Sequence, residues 1–120
     1  MNPLDALNNA QYMSLKTFRK SGEAVPTPVW FAREGDCLYV MTQAGAGKVK
    51  RIRNNSQVQV APCDVRGNLK GDYVAAHARE LPAEEHRRAN AALNRKYGLM
   101  KRLFDLMQRG RARTYLEVRA

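Results

Sequence analysis

The sequence predicts a mainly β fold with α-helices, a single domain over residues 1–120 built as a closed or nearly closed antiparallel sheet. Three observations carry this reading. Runs of strand-forming residues between 12 and 42 are separated by local turn signals, and a strictly alternating run follows at 57–62. Helical spacing is confined to a short basic segment after Gly47 and to the stretch after Pro82. About six antiparallel strands in an open meander would leave edges free to aggregate, so a barrel is the economical arrangement.

The elements follow in order. Residues 12–20 are rich in strand formers, and Ser21-Gly22-Glu23 turns the chain into a second strand, 24–32. Pro26 and Pro28 each remove a ladder N–H from that strand, so part of one of its edges stays unpaired. Arg33-Glu34-Gly35-Asp36 leads into 37–42, with Leu38, Val40 and Thr42 on one face and Cys37, Tyr39 and Met41 on the other. These three strands read as an antiparallel meander. Gly47 to Asn54 is a short helix with Val49 and Ile52 inward and its cations outward. Val58 and Val60 mark a half-buried strand, and a fifth strand spans roughly 72–81. Pro82, Glu84 and Glu85 open a helix whose inward positions are His86, Ala89, Leu93 and Tyr97. Gly98 interrupts it. Leu99, Met100, Leu103, Phe104 and Met107 form a second amphipathic segment, read as mostly core, and residues 114–118 make the last strand.

The segment 37–55 carries the strongest chemical signal: a strand ending in Thr42, a small-residue turn with Gly45 and Gly47, then Lys48, Lys50, Arg51 and Arg53 opening a helix. Unpaired N–H groups at a helix start, with first-turn cations, suit a phosphate. The same pattern suits a solvated basic helix. The resemblance of Ala44-Gly45-Ala46-Gly47-Lys48-Val49 to a nucleotide-triphosphate loop fails, because Val49 stands where a Ser or Thr would bind magnesium and the first glycine is missing.

The net charge of +10 calls for an anionic partner. Of the 21 basic residues, 11 precede Glu84 and 10 follow it, so the charge is woven through folded elements and not gathered in a tail. Residues 1–11 contain no Lys or Arg and no long apolar run, which matches neither a secretory signal nor a membrane anchor and points to a cytoplasmic protein with no membrane partner. Cys37 and Cys63 stand 26 positions apart without a CxxC pair and read as buried thiols, with no metal site. His77 and His86 receive no catalytic role, and no paired carboxylates or serine–histidine arrangement has useful spacing.

Taken in order, Thr27-Pro28-Val29-Trp30-Phe31, Leu38-Tyr39-Val40-Met41-Thr42, Gly47-Lys48-Val49-Lys50-Arg51-Ile52-Arg53-Asn54-Asn55 and Val60-Ala61-Pro62-Cys63-Asp64 resemble the pyridoxamine 5′-phosphate oxidase-like split-barrel family. The likeness is nearest to its short flavin- or deazaflavin-dependent oxidoreductase branch and runs from Tyr12 to the C-terminus. It implies a split β-barrel and a homodimer with the cofactor at the subunit interface, either FMN or, alternatively, the deazaflavin coenzyme F-420. Thr27, Pro28, Val29, Trp30 and Phe31 would line the ring, Thr42 would bond the phosphate with Met41 beside it, and Lys48 and Arg51 would supply charge. Trp30 suits the ring pocket and the core equally. Lys50 points elsewhere on the helix. Gly47 stands where better-known members place a basic residue, which removes one phosphate contact and counts against pyridoxamine phosphate oxidation itself.

The chemistry so implied is hydride transfer between the bound ring and a small organic substrate, with catalytic residues unknown. Two other readings predict different behaviour. A small nucleic-acid-binding barrel, for which the charge and Tyr12, Phe18, Trp30 and Tyr39 argue, would bind single strands in a salt-sensitive way; the oxidoreductase reading expects no nucleic acid. A cofactor or haem carrier would hold its ligand without exchanging reducing equivalents.

Overall fold

The computed structural model describes residues 2–120. It contains one seven-stranded sheet with every pairing antiparallel, in the order β2-β1-β5-β6-β7-β4-β3. The strands are β1 (Tyr12–Phe18), β2 (Ala24–Val29), β3 (Phe31–Glu34), β4 (Cys37–Gln43), β5 (Gln57–Cys63), β6 (Val74–Glu80) and β7 (Arg113–Arg119). Helix α1 (Gly47–Asn54) follows β4, and α2 (His86–Tyr97) and α3 (Leu99–Met107) lie between β6 and β7. A 3₁₀ turn at Pro3–Leu7 precedes β1 and buries Leu4 and Leu7.

The second strand read from the sequence is two strands, and this difference shapes the molecule. Ala24 to Val29 pairs with β1, whereas Phe31 to Glu34 pairs with β4. The three-strand meander therefore does not form: β2 and β3 are opposite edges of the sheet, joined through Trp30 alone. Edge strands one residue apart must meet at that point and diverge beyond it, because successive Cα atoms are only about 3.8 Å apart. The sheet curls into a barrel that closes at Trp30 and is split below it. Two prolines confine β2 to an edge, since a central strand needs N–H donors on both sides.

Inside the curl, Met13, Leu15, Val29, Phe31, Leu38, Val40, Val58, Val60, Leu116 and Val118 form the main core with Ile52 of α1. The alternation read from β4 holds, with Leu38 and Val40 in this core and Cys37, Tyr39 and Met41 on the outer face. There α2 lays Ala89, Ala92, Leu93 and Tyr97 against Ala32, Tyr39 and Tyr115. The free thiols of Cys37 and Cys63 are both buried.

The last helix overturns one expectation. Leu99, Leu103, Leu106 and Met107 are 76, 62, 64 and 79% exposed, and Met100 and Phe104 are also exposed. Periodicity reveals an apolar stripe but not what covers it. The side of α3 turned toward the barrel holds Lys101, which is fully buried. Its Nζ donates to Asp105 at 2.8 Å, and Arg113 of β7 donates to the same carboxylate at 2.7 Å. An ionic anchor thus takes the inward face and leaves the apolar one outward. Gly98, with φ +54, permits the break between α2 and α3.

The split edge is held by two neighbouring side chains of α2, Tyr97 and Lys96. The Phe31 N–H donates to Tyr97 Oη at 2.9 Å, and that hydroxyl lies 2.8 Å from the Gln11 carbonyl and 2.9 Å from the Phe31 carbonyl, one of which takes its proton. Lys96 Nζ donates to the Ala10 and Phe31 carbonyls, each at 2.8 Å. Burial pushes the Tyr97 hydroxyl up to about 12, so it stays a neutral donor through the physiological range. Tyr97→Phe orphans the buried Phe31 N–H and is expected to lower unfolding stability by about 1–3 kcal/mol. Urea denaturation checks this; an unchanged midpoint would show that the Phe31 backbone finds another partner.

Candidate functional site: a cleft beside the barrel seam

The strand break at Trp30 and the turn into α1 place two kinds of surface side by side. Pro28, Val29 and Trp30 from the seam, Met41, Thr42 and Gln43 from the end of β4, Ala46 and Lys48 from the α1 turn, and Tyr12, Val65 and Phe104 line an open cleft of about 390 Å³. Trp30 stacks on Tyr97 with ring centroids 4.6 Å apart and 16° between planes, and Phe104 lies 4.9 Å beyond. One wall is therefore aromatic and apolar. The opposite end is cationic.

Lys48 Nζ donates to Thr42 Oγ1 at 3.4 Å. Arg51, one turn on, donates from Nε to Thr17 Oγ1 of β1 at 2.7 Å. Both side chains are half-buried, and among the described residues neither has a carboxylate within ion-pair distance, although ten such pairs form elsewhere. Burial pushes the Lys48 ammonium below its ordinary range, and the neighbouring Arg51 charge pushes it further. Burial and the Arg19 charge lower Arg51 in the same direction. Helix α1 has no side-chain N-cap and no acidic residue in its first turn, so the positive end of its dipole adds to the same field. Uncompensated cations held together against desolvation and mutual repulsion fit an anion supplied from outside.

Six of the nine candidate residues come together in the cleft: Pro28, Val29, Trp30, Met41, Thr42 and Lys48. Three lie behind its surface. Phe31 is only 2% exposed and points into the core; strand alternation sends the residue after Trp30 to the opposite face. Arg51 backs the turn through Thr17. The Thr27 hydroxyl is buried with no hydrogen-bond partner among the described residues, which leaves a polar atom at the seam to be satisfied. Trp30 and Met41 pack on the outer-face core while also lining the cleft. Lys50 is exposed, as its place on the helix predicts.

Phe104, Val65 and Tyr12 were not legible as cleft residues. Phe104 reaches Trp30 only because Gly98 redirects the chain, and Val65 sits in the long β5–β6 connection, where no periodicity applies. Tyr12 begins the strand paired with the seam. Elsewhere, His86 Nε2 lies 2.9 Å from the Leu81 carbonyl. Among the described residues no group of three or more His, Cys, Asp or Glu could hold a metal, and no helix is long and apolar enough to cross a membrane.

The family model described as pyridoxamine 5′-phosphate oxidase matches residues 4–120. No curated protein matches the sequence. Among solved structures, the haem-storage protein HutZ of Vibrio cholerae superposes with a TM-score of 0.73 at 13% identity over 96% of this chain and 84% of that one. A FAD-binding protein of Mesorhizobium loti does so at 0.67 and 18% identity, covering 98% and 88%. An F420 reductase gives 0.61 and 21% identity, covering 97% and 90%. At these identities the likeness establishes the shared fold.

The Lys48 environment sets a pH dependence. An anion in the cleft favours the ammonium form, so the depressed pKa of Lys48 should rise on binding, with proton uptake at alkaline pH. Affinity should accordingly fall as pH climbs through the unliganded pKa, below 10.5. An NMR titration of the lysine side chains with and without inorganic phosphate reads this shift directly; a Lys48 pKa indifferent to phosphate would remove it from the site.

Proposed function

The chain belongs to the pyridoxamine 5′-phosphate oxidase family, and from that premise we propose that it is a flavin- or deazaflavin-dependent oxidoreductase acting on a small organic substrate. The observation that carries the proposal is the pairing, in one cleft, of the uncompensated Lys48 cation, backed by Arg51, with an apolar, aromatic wall at Trp30, Met41 and Phe104. A phosphorylated tricyclic cofactor has this polarity: an anionic end and a planar ring. The orphaned Thr27 hydroxyl beside the seam offers one further polar contact.

In this reading Lys48 and Thr42 hold the phosphate, Arg51 supports it from behind, and the seam from Pro28 to Trp30 lies along the ring. FMN is the first candidate and the deazaflavin coenzyme F-420 the alternative. When bound, the ring supplies the hydride donor or acceptor. The protein contributes position, a low-dielectric wall and a fixed positive field, and no acid–base side chain is assigned.

A second copy of the chain completes the site. Phe104 belongs both to the cleft and to the exposed stripe of α3, so a subunit packed on α3 would cover the open side of the cleft. One solved structure of the same fold is a domain-swapped dimer. The haem-storage neighbour favours a second reading, a carrier that holds its ligand without turnover. Mixing loaded, reduced protein with candidate electron acceptors separates the two: reoxidation coupled to product marks an enzyme, and a ligand that never exchanges electrons marks a carrier.

Lys48→Ala is expected to weaken cofactor binding by about 1.5–3 kcal/mol, the scale of a lost charged hydrogen bond, while Lys50→Ala should change little. Equilibrium fluorescence titration of both variants measures the difference, and equal losses would mean a diffuse basic field. A Leu103→Asp, Met107→Asp double variant should shift the protein from dimer to monomer in light scattering. A monomeric parent protein would rule out the shared cleft.

A further inference from the structure

Gly47 opens α1, yet its backbone does not call for glycine, since it is absent from the positions with positive φ. Glycine at a helix position otherwise costs stability relative to alanine. The reason lies in space. A Cβ at position 47 would stand 2.8 Å from Nη1 of Arg51 and 3.6 Å from its Cζ. Helical side chains lean toward the N-terminus, so the residue four positions on lies over position 47. The guanidinium thus occupies the volume that any other residue there would fill. On its other side, Arg51 Nε donates to Thr17 Oγ1 at 2.7 Å, which fixes the plane of the group.

We propose that Gly47 is a positioning residue of the anion site: having no side chain, it lets Arg51, clamped by Thr17, stand beside Lys48 as a second fixed cation for a phosphoryl group. The identity of the ligand rests on the cofactor reading above; the geometry of the clamp does not. Two cations without carboxylate partners among the described residues are held near the first turn of one helix; their bonds to Thr42 and Thr17 tether α1 to the sheet but neutralise neither charge. Gly47 acts through Arg51 and touches no reacting atom.

The test is a double-variant cycle read by binding. Gly47→Ala, Arg51→Ala and the double variant are titrated with inorganic phosphate, FMN and F-420, each as purified apo-protein. Gly47→Ala is expected to weaken binding about tenfold, Arg51→Ala by at least as much, and the double variant no further than Arg51→Ala alone. Thr17→Val, which frees the guanidinium without touching the helix, should give a partial loss and serves if Gly47→Ala fails to fold. The Arg51 Nε–Hε NMR resonance should move in Gly47→Ala and in Thr17→Val. Losses that add, or wild-type binding by Gly47→Ala, would overturn the role of Gly47 and leave the cofactor reading standing if FMN or F-420 still binds. Coupled loss of phosphate binding with no cofactor binding by any variant would uphold the clamp and overturn the cofactor reading. If wild-type protein binds none of the three ligands, both fall.

Discussion

The structure turns on the single residue between the two edge strands of its sheet. Val29 ends the strand paired to β1 and Phe31 begins the strand paired to β4, so Trp30 ties opposite edges of a seven-stranded sheet together. An antiparallel sheet with both edges exposed invites association, and closure at one point with splaying beyond it leaves a gap. Tyr97 makes the arrangement permanent by satisfying the Phe31 N–H and stacking on Trp30. The gap becomes a cleft because α1 and α3 border it, α1 with charge and α3 with apolar surface.

That border is costly where it is useful. Half-buried cations without acidic partners oppose folding: burial and neighbouring positive charge push both Lys48 and Arg51 toward their neutral forms. A lysine whose folded pKa is depressed binds fewer protons in the folded state, so the penalty attached to its charge is full below that pKa and is relieved as pH rises from it to the unfolded value. The main core supplies the stability against which such a site can persist. Local departures of this sort are expected at functional or strained sites. The exposed stripe of Leu99, Leu103, Leu106 and Met107 is a second departure, and the proposed subunit interface would account for both its apolarity and its place beside the cleft.

Much of this was legible from residues whose signals are local. The alternation of β4, the inward Val49 and Ile52, the core positions Ala89, Leu93 and Tyr97 and the confinement of the Pro26–Pro28 strand to an edge all follow from periodicity or from a missing N–H. The division of the second strand did not, because Val29-Trp30-Phe31 is a continuous strand-forming run and its break depends on which strands pair at long range. The exposure of α3 did not either: an apolar stripe is the same in sequence whether it faces a core or a partner, and the burial of Lys101 depends on Arg113 arriving from β7. In the site, Thr42 and Lys48 were readable from the strand–turn–helix pattern. The Arg51–Thr17 contact, 34 residues apart in sequence, was not.

The claim that unites these observations is that the seam cleft holds a phosphorylated ring between the α1 cations and Trp30. A crystal structure of the protein grown with FMN, and a second grown with F-420, tests it most directly. We expect one of the two to bind with its phosphate within hydrogen-bond distance of Lys48 Nζ and its ring along Val29 and Trp30, covered by α3 of a second subunit. A cofactor bound elsewhere on the barrel, or a phosphate that contacts neither Lys48 nor Arg51, would contradict the account.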